Sequence, residues 1–251
     1  MQATFPGRAV RLVLFGAEAL AAAISPSTYN APARRIAARQ VCTSAWQVLP
    51  GFILACAILG ALVIRIVDST ARDFGLSGYS LDLYFRVLVL ELIPLTAAVF
   101  VALRIGLPDG RELARMRLRG DLDALRQKGL DPLRHEVLPR VLAGGFAVLM
   151  LAAVAGVVTL VLAYLTVHGF TLGGLERYTR TVGQVFSPAV TLIFTIKTFL
   201  LALAVSLIPV TSALYDQPRG RIRTSAELQA LVRLFLVMLL IEAASLVGNY
   251  Y

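Results

Sequence analysis

The chain is expected to be an all-α integral membrane protein. About five transmembrane helices, an N-terminal amphipathic helix and one charged segment between the second and third spans make up this expectation. Three observations carry it. Of 251 residues, 58% are hydrophobic, and the mean hydropathy is +0.76, far above an ordinary soluble domain. Five apolar runs are each long enough to cross a hydrocarbon core of about 30 Å as a helix. The basic residues are distributed unevenly among the segments between those runs.

The runs are Val48 to Ile64, Tyr84 to Leu103, Val141 to Val167, Val185 to Pro209 and Leu228 to Val247. The second contains Arg86 and Glu91, the fourth Lys197, and the fifth Arg233 and Glu242. The third has no charge and is long enough to tilt or to extend past the interface. Gly7 to Ile24 differs from these. Its charges, Arg8, Arg11 and Glu18, fall in one narrow stripe at about 100° per residue. Such a helix suits the membrane interface better than a full crossing, although a span stays open as the alternative. Pro26 and Pro32 then interrupt it. No compact basic, apolar and small-residue leader is read at the start, so no cleavable signal is expected.

Charge orients the chain. Five basic residues precede the first run, nine lie between the second and third, and three lie between the fourth and fifth. The two intervening segments carry two each, so one side holds 17 and the other 4. The positive-inside rule places the N-terminus and segment 104–140 in the cytoplasm and the C-terminus outside. The formal net charge of +9 is thereby explained without nucleic acid as a partner.

Within 104–140, Leu113, Met116, Leu118, Leu122 and Leu125 recur at spacings of two to four, a mixed amphipathic pattern that is helical by preference. Gly129 can end one helix, and Asp131-Pro132 can begin the next as N-cap and first-turn proline. The expected order is helix, sharp corner, short helix and membrane re-entry at Pro139. Such a rigid corner suits contact with a partner; a solvated basic loop that only sets topology is the alternative.

Ionisable groups inside spans are costly, roughly 2.5–3.5 kcal/mol each on insertion scales, and tend to face one another. Glu91 and Lys197 are therefore expected to pair or to share a polar pocket. Arg86 shares a helical face with Leu90 and either joins that pocket or snorkels to the outer interface. Arg233 and Glu242 fall on opposite faces of the last run and are not a mutual pair, and Glu242 has no evident partner. Cys42 and Cys56 form no disulfide framework. His135 and His168 lie in loops on opposite sides of the membrane, and no Cys/His cluster has metal-ligand spacing. No catalytic residue and no metal site are expected. The chain has no G-x-x-x-x-G-K-[ST] phosphate loop, so it is not expected to bind or hydrolyse ATP.

The stretches "LELIPLTAAV", "ALRIGLPDGRELARM" and "DALRQKGLDPLRHEVLPRVLAG" resemble the MlaE/YrbE-type permeases. These are membrane subunits of ABC lipid transporters that work with Mce-type proteins. The similarity runs without a gap from Glu91 to Gly144. It covers Glu91, Pro94, Arg104, Gly106, Glu112, Met116, Asp123, Asp131, Pro132, Arg134, Pro139 and Arg140. Weaker similarity reaches "FPGRAVRLVLF" and "TIKTFLLALAVS".

The resemblance implies a single permease domain over 1–251 in a bacterial inner membrane, moving lipids, with phospholipids the expected class. Glu91 and Lys197, with Arg86 as a candidate third, would line the lipid path. Arg104, Glu112, Asp123, Asp131, Pro132, Arg134, Pro139 and Arg140 would couple to an ATPase. Implied partners are an ABC ATPase chain carrying ATP and Mg, a second permease copy or paralogue, an Mce-domain lipid-binding protein and a small cytoplasmic regulatory subunit.

The sequence departs from the family pattern at Leu90, where the family has Arg, and at Ile93, where it has Gly. "LPDGR" and "DQPRGRIRTSAEL" replace two further motifs. These departures keep a second reading open, a non-transporting paralogue that acts as a membrane scaffold or heteromeric partner. A third, an ion-coupled carrier using Glu91 for protons, would predict transport without an ATPase.

Overall fold

The structure is a computed structural model. It describes the backbone of residues 31–75, 80–170, 172–215 and 224–250, with side chains over 49–75, 81–170, 173–215 and 228–249. The proposed interfacial helix Gly7 to Ile24 lies outside the described residues.

Every element described is helical. Helix α1 is Ala31–Asp73. Next comes a continuous column, α2, made of Ser80–Tyr84, Phe85–Leu92, Ile93–Val101, Ala102–Gly106 and Leu107–Arg119. A short helix α3, Asp121–Gln127, follows. The column α4 joins Leu133–Val137 to Leu138–His168. Then come α5 (Leu175–Val185), α6 (Pro188–Tyr215) and α7 (Thr224–Tyr250).

Five stretches are long and apolar enough to cross a membrane: Leu49–Asp73, Leu81–Arg119, Leu133–His168, Pro188–Tyr215 and Leu228–Asn249. The chain is a multi-pass all-α membrane protein. Its outward surface agrees with that reading. Leu54, Ile58, Leu62 and Ile66 form one stripe at four-residue spacing on α1, and each is more than half exposed. Leu236, Leu239, Leu240 and Val247, each more than half exposed, share one apolar face of α7. Apolar stripes of this length fit acyl chains and not water.

The helices outrun the apolar runs, and several expectations need correction. Pro32 stands at a helix boundary, in the first turn of α1, where a missing N–H costs nothing; the helix it was expected to follow lies outside the described residues. The helix that carries the second apolar run does not end near Leu103. It continues to Arg119, and at 39 residues it is about 58 Å long, roughly twice a hydrocarbon core. The fourth span begins at Pro188, because Val185 closes a separate helix, α5, that the apolar pattern did not separate from it. His135 and His168 are not in loops. They sit near the two ends of the α4 column.

Three stretches have wide, π-type turns: Phe85–Leu92, Ala102–Gly106 and Leu133–Val137. Each closes with an N–H reaching back five residues: Ile93 to Leu88, Leu107 to Ala102, and Leu138 to Leu133. Each is followed at once by a proline: Pro94, Pro108 and Pro139. A proline in a helix offers no N–H to the carbonyl four residues back, and its ring crowds that carbonyl. The preceding turn widens to relieve both problems, which is a recurring origin of π-bulges.

The main core joins Phe52 of α1, Tyr84, Phe85 and Leu88 of α2, Leu151 of α4, Leu201 of α6 and Met238 of α7. Between α2 and α6 the approach is close. A Cβ on Gly106 would stand 2.9 Å from the Val205 carbonyl oxygen, and one on Gly110 would stand 3.0 Å from that of Pro209. The four-residue glycine spacing lets one backbone lie against another, the small-xxx-small geometry of membrane helices.

Candidate functional site

The π-turn at Phe85–Leu92 places Glu91 on the face of α2 that meets α6 and α7. Pro94 has no N–H to offer the Leu90 carbonyl in α-register. Lys197 of α6 occupies that vacancy, donating from Nζ to the Leu90 oxygen at 3.2 Å. The same ammonium donates to Glu91 Oε2 and to Glu242 Oε1 of α7 at 2.8 Å. Its three protons therefore have three acceptors on two neighbouring helices. Asn249 Nδ2 donates to Glu91 Oε1 at 3.2 Å. Lys197 is 2% exposed, the one buried charged residue among the described residues.

The structure thus brings Glu91 and Lys197 together and supplies the partner that the sequence did not give Glu242. It also adds Asn249, which sequence reasoning missed. A signal existed: Glu242, Ser245 and Asn249 are spaced three and four residues apart, a polar stripe on an otherwise apolar helix. Arg86 is not part of this cluster. Its guanidinium pairs with Asp82 Oδ2 at 3.0 Å, one turn earlier on α2. Leu90, where the related pattern has Arg, is buried.

At the Arg-rich end, α2 terminates on Gly120 (φ 81°). After α3 the chain turns again at Gly129 (φ 74°); both conformations suit glycine. Asp131 Oδ1 accepts from the Leu133 N–H at 3.0 Å, an N-cap with Pro132 beginning the turn. The corner is as expected, but the short helix and the re-entry are not separate. They form the single column α4, with Pro139 inside its first α-turns.

Among the residues assigned to coupling, the ion pairs are local. Glu112 meets Arg115 at 3.6 Å, Asp123 meets Arg126 at 3.7 Å, and Asp131 meets Arg134 at 3.7 Å. Arg104 is exposed in the second wide turn. Arg140 is half-buried. It pairs with Glu136 Oε2 at 3.0 Å, and its Nη1 lies 3.8 Å from Met116 Sδ on α2.

Beneath this surface, Leu113 of α2, Val137 and Val141 of α4, and Leu207 and Val210 of α6 form a second small core. The corner therefore sits on both α2 and α6, the helices that carry Glu91 and Lys197. Pro209 follows Lys197 by twelve positions on α6, about 18 Å of helix.

At the opposite end, α5 packs Tyr178 against α4. Its hydroxyl donates to the Leu160 carbonyl at 2.6 Å, and its ring meets Phe85 and Tyr164 edge-on. Burial pushes the Tyr178 phenol pKa up. His168 stacks on Tyr164 and fills the space beside Gly174, where a Cβ would fall 2.0 Å from its ring.

Among the described residues, no group of three His, Cys, Asp or Glu side chains is placed to hold a metal ion. What the geometry offers is a buried, charged joint between three spans and a capped corner packed on two of them. A sequence model of the family described as Permease MlaE matches residues 37–247. None of the curated proteins compared with the chain matches it.

Proposed function

This chain belongs to the MlaE permease family, and from that membership we propose that it is the membrane subunit of an ABC transporter for lipids. Phospholipids are the expected cargo. They would pass between the cytoplasmic membrane and an extracytoplasmic Mce-type protein, with ATP and Mg bound by a separate ATPase chain. The corner and the Arg-rich end face the cytoplasm in this reading, and the C-terminus faces the periplasm, following the positive-inside rule. A second permease copy or paralogue completes the membrane core, and a small cytoplasmic subunit can regulate it.

One observation carries the reading. The corner Asp131–Arg140 rests on a small core shared by α2, α4 and α6. Two of these helices also hold the Glu91–Lys197 contact deep in the bundle. A push on the corner is passed to α6 through its contact with Gly106 and Gly110. Packed helices rearrange between discrete arrangements and do not deform smoothly. ATPase closure at the corner would therefore change the distance between α6 and α2 at the cluster, where a lipid headgroup would enter.

Leu90 and Ile93 favour one other reading, a scaffold that recruits the same partners without moving lipid. Reconstitution separates the two. The purified complex in vesicles should hydrolyse ATP faster with phospholipid acceptor protein present and transfer labelled phospholipid. A complex that assembles but does neither is the scaffold, and transfer without any ATPase contradicts the ABC assignment.

A further inference from the structure

The buried cluster of α2, α6 and α7 contains two carboxylates, Glu91 and Glu242, and one ammonium, Lys197. Lys197 gives its protons to Leu90 O, Glu91 Oε2 and Glu242 Oε1, and Asn249 gives to Glu91 Oε1. Three oxygens remain buried without a hydrogen-bond partner among the described residues: Glu242 Oε2, Ser245 Oγ and Asn249 Oδ1. Ser245 is 6% exposed. It lies on the same face of α7 as the other two, three residues after Glu242 and four before Asn249.

No other described charge is placed to balance the second carboxylate. On α2, Arg86 is engaged with Asp82. On α6, Lys197 is the one charged residue of Pro188–Tyr215, and the Thr198 hydroxyl is taken by the Phe194 carbonyl. On α7, Arg233 is nine residues away on the opposite face. The third span, Val141–Val167, brings no charge.

A cluster with an excess carboxylate in hydrocarbon is unstable unless something cationic joins it. The oxygens are enclosed, so the occupant must need almost no room. We propose that Glu91 and Glu242 together hold one exchangeable proton, which makes this cluster a proton-binding site as well as an ion pair. The proton supplies a donor at Glu242 Oε2, which is buried without a hydrogen-bond partner among the described residues. The bound cluster is then neutral, with one carboxylate, one carboxylic acid and one ammonium. It can face acyl chains when α7 parts from α2 and α6 without presenting a net charge to them.

Infrared difference spectroscopy on the full chain in lipid nanodiscs tests this without reference to transport. Wild type minus Glu242→Gln, and wild type minus Glu91→Gln, should each show at neutral pH the C=O stretch of a protonated carboxylic acid. Each substitution removes the excess charge and leaves one carboxylate for Lys197, so each should fold and lose the band. Lys197→Met, which removes the cation, should strengthen it. Should either Gln variant fail to fold, the other together with Lys197→Met decides. A missing band in both wild-type differences, or a band that survives either Gln substitution, overturns the proposal.

Discussion

Lys197 of α6 donates to Glu242 of α7 at 2.8 Å, and the same nitrogen reaches Glu91 and the Leu90 carbonyl on α2. One ammonium therefore ties three membrane spans together. Removing it leaves two buried carboxyls and an unserved carbonyl. Lys197→Met is expected to cost about 3–5 kcal/mol, the usual penalty for breaking a buried pair from one side. Glu242→Gln keeps the shape and one ion pair and should cost about 1 kcal/mol. Thermal unfolding in detergent micelles, followed by helical circular dichroism, should rank them in that order.

The α2–α6 crossing depends on the absence of side chains at Gly106 and Gly110. Val at either position meets backbone oxygens of Val205 or Pro209, which cannot swing aside. Each substitution is expected to destabilise by about 1–3 kcal/mol. Gly156→Ala is the control. Its Cβ would meet nothing within 4 Å, so the change should be neutral or stabilising by up to about 1 kcal/mol through helix propensity.

Tyr178 fixes α5 to α4 through its hydrogen bond to Leu160. Tyr178→Phe should cost about 0.5–1.5 kcal/mol. It should also change the alkaline limb of stability. The phenol pKa is pushed up by burial in the folded state, so the folded protein keeps a proton that the unfolded chain loses near pH ~10. Stability from this group is present below that pH and falls as pH rises above it. The Phe variant should lose less stability than wild type over that range in the same unfolding assay.

At the corner, Gly129 has φ 74°, and Asp131 caps the turn at Leu133. Gly129→Ala should cost about 1–2 kcal/mol through the left-handed backbone, and Asp131→Ala about 0.5–2 kcal/mol through the lost cap. Hydrogen–deuterium exchange should show the loss locally, as faster exchange over 128–138, with the buried spans unchanged. Uniform loosening of the whole bundle would contradict a locally capped corner.

The five crossings, the corner and the Glu91–Lys197 contact were legible in sequence because each follows from composition or spacing. A 20-residue apolar run has few alternatives, and a charge inside one needs a partner. The wide turns before three prolines were not legible in the sequence. Pro94, Pro108 and Pro139 widen turns within continuous columns, because the surrounding membrane helices keep the backbone helical. That continuity carried α2 past Leu103 to Arg119. Helix α5 was hidden because Val185 sits beside the next apolar run, although Leu175, Tyr178, Val182 and Val185 keep helical spacing. The place of Glu242 depended on how α7 rotates against α6, a tertiary quantity that one helix pattern does not contain.

The central claim is that an ATPase drives this permease through the corner. Affinity capture of the tagged full chain from the native membrane tests it directly, with charge reversal at Asp131→Arg and Arg134→Glu as the comparison. The account predicts that an ABC ATPase co-purifies with the wild type and is lost from the double variant, while the variant stays folded by thermal unfolding. Equal recovery of the ATPase with the folded variant, or no ATPase with the wild type, would contradict it.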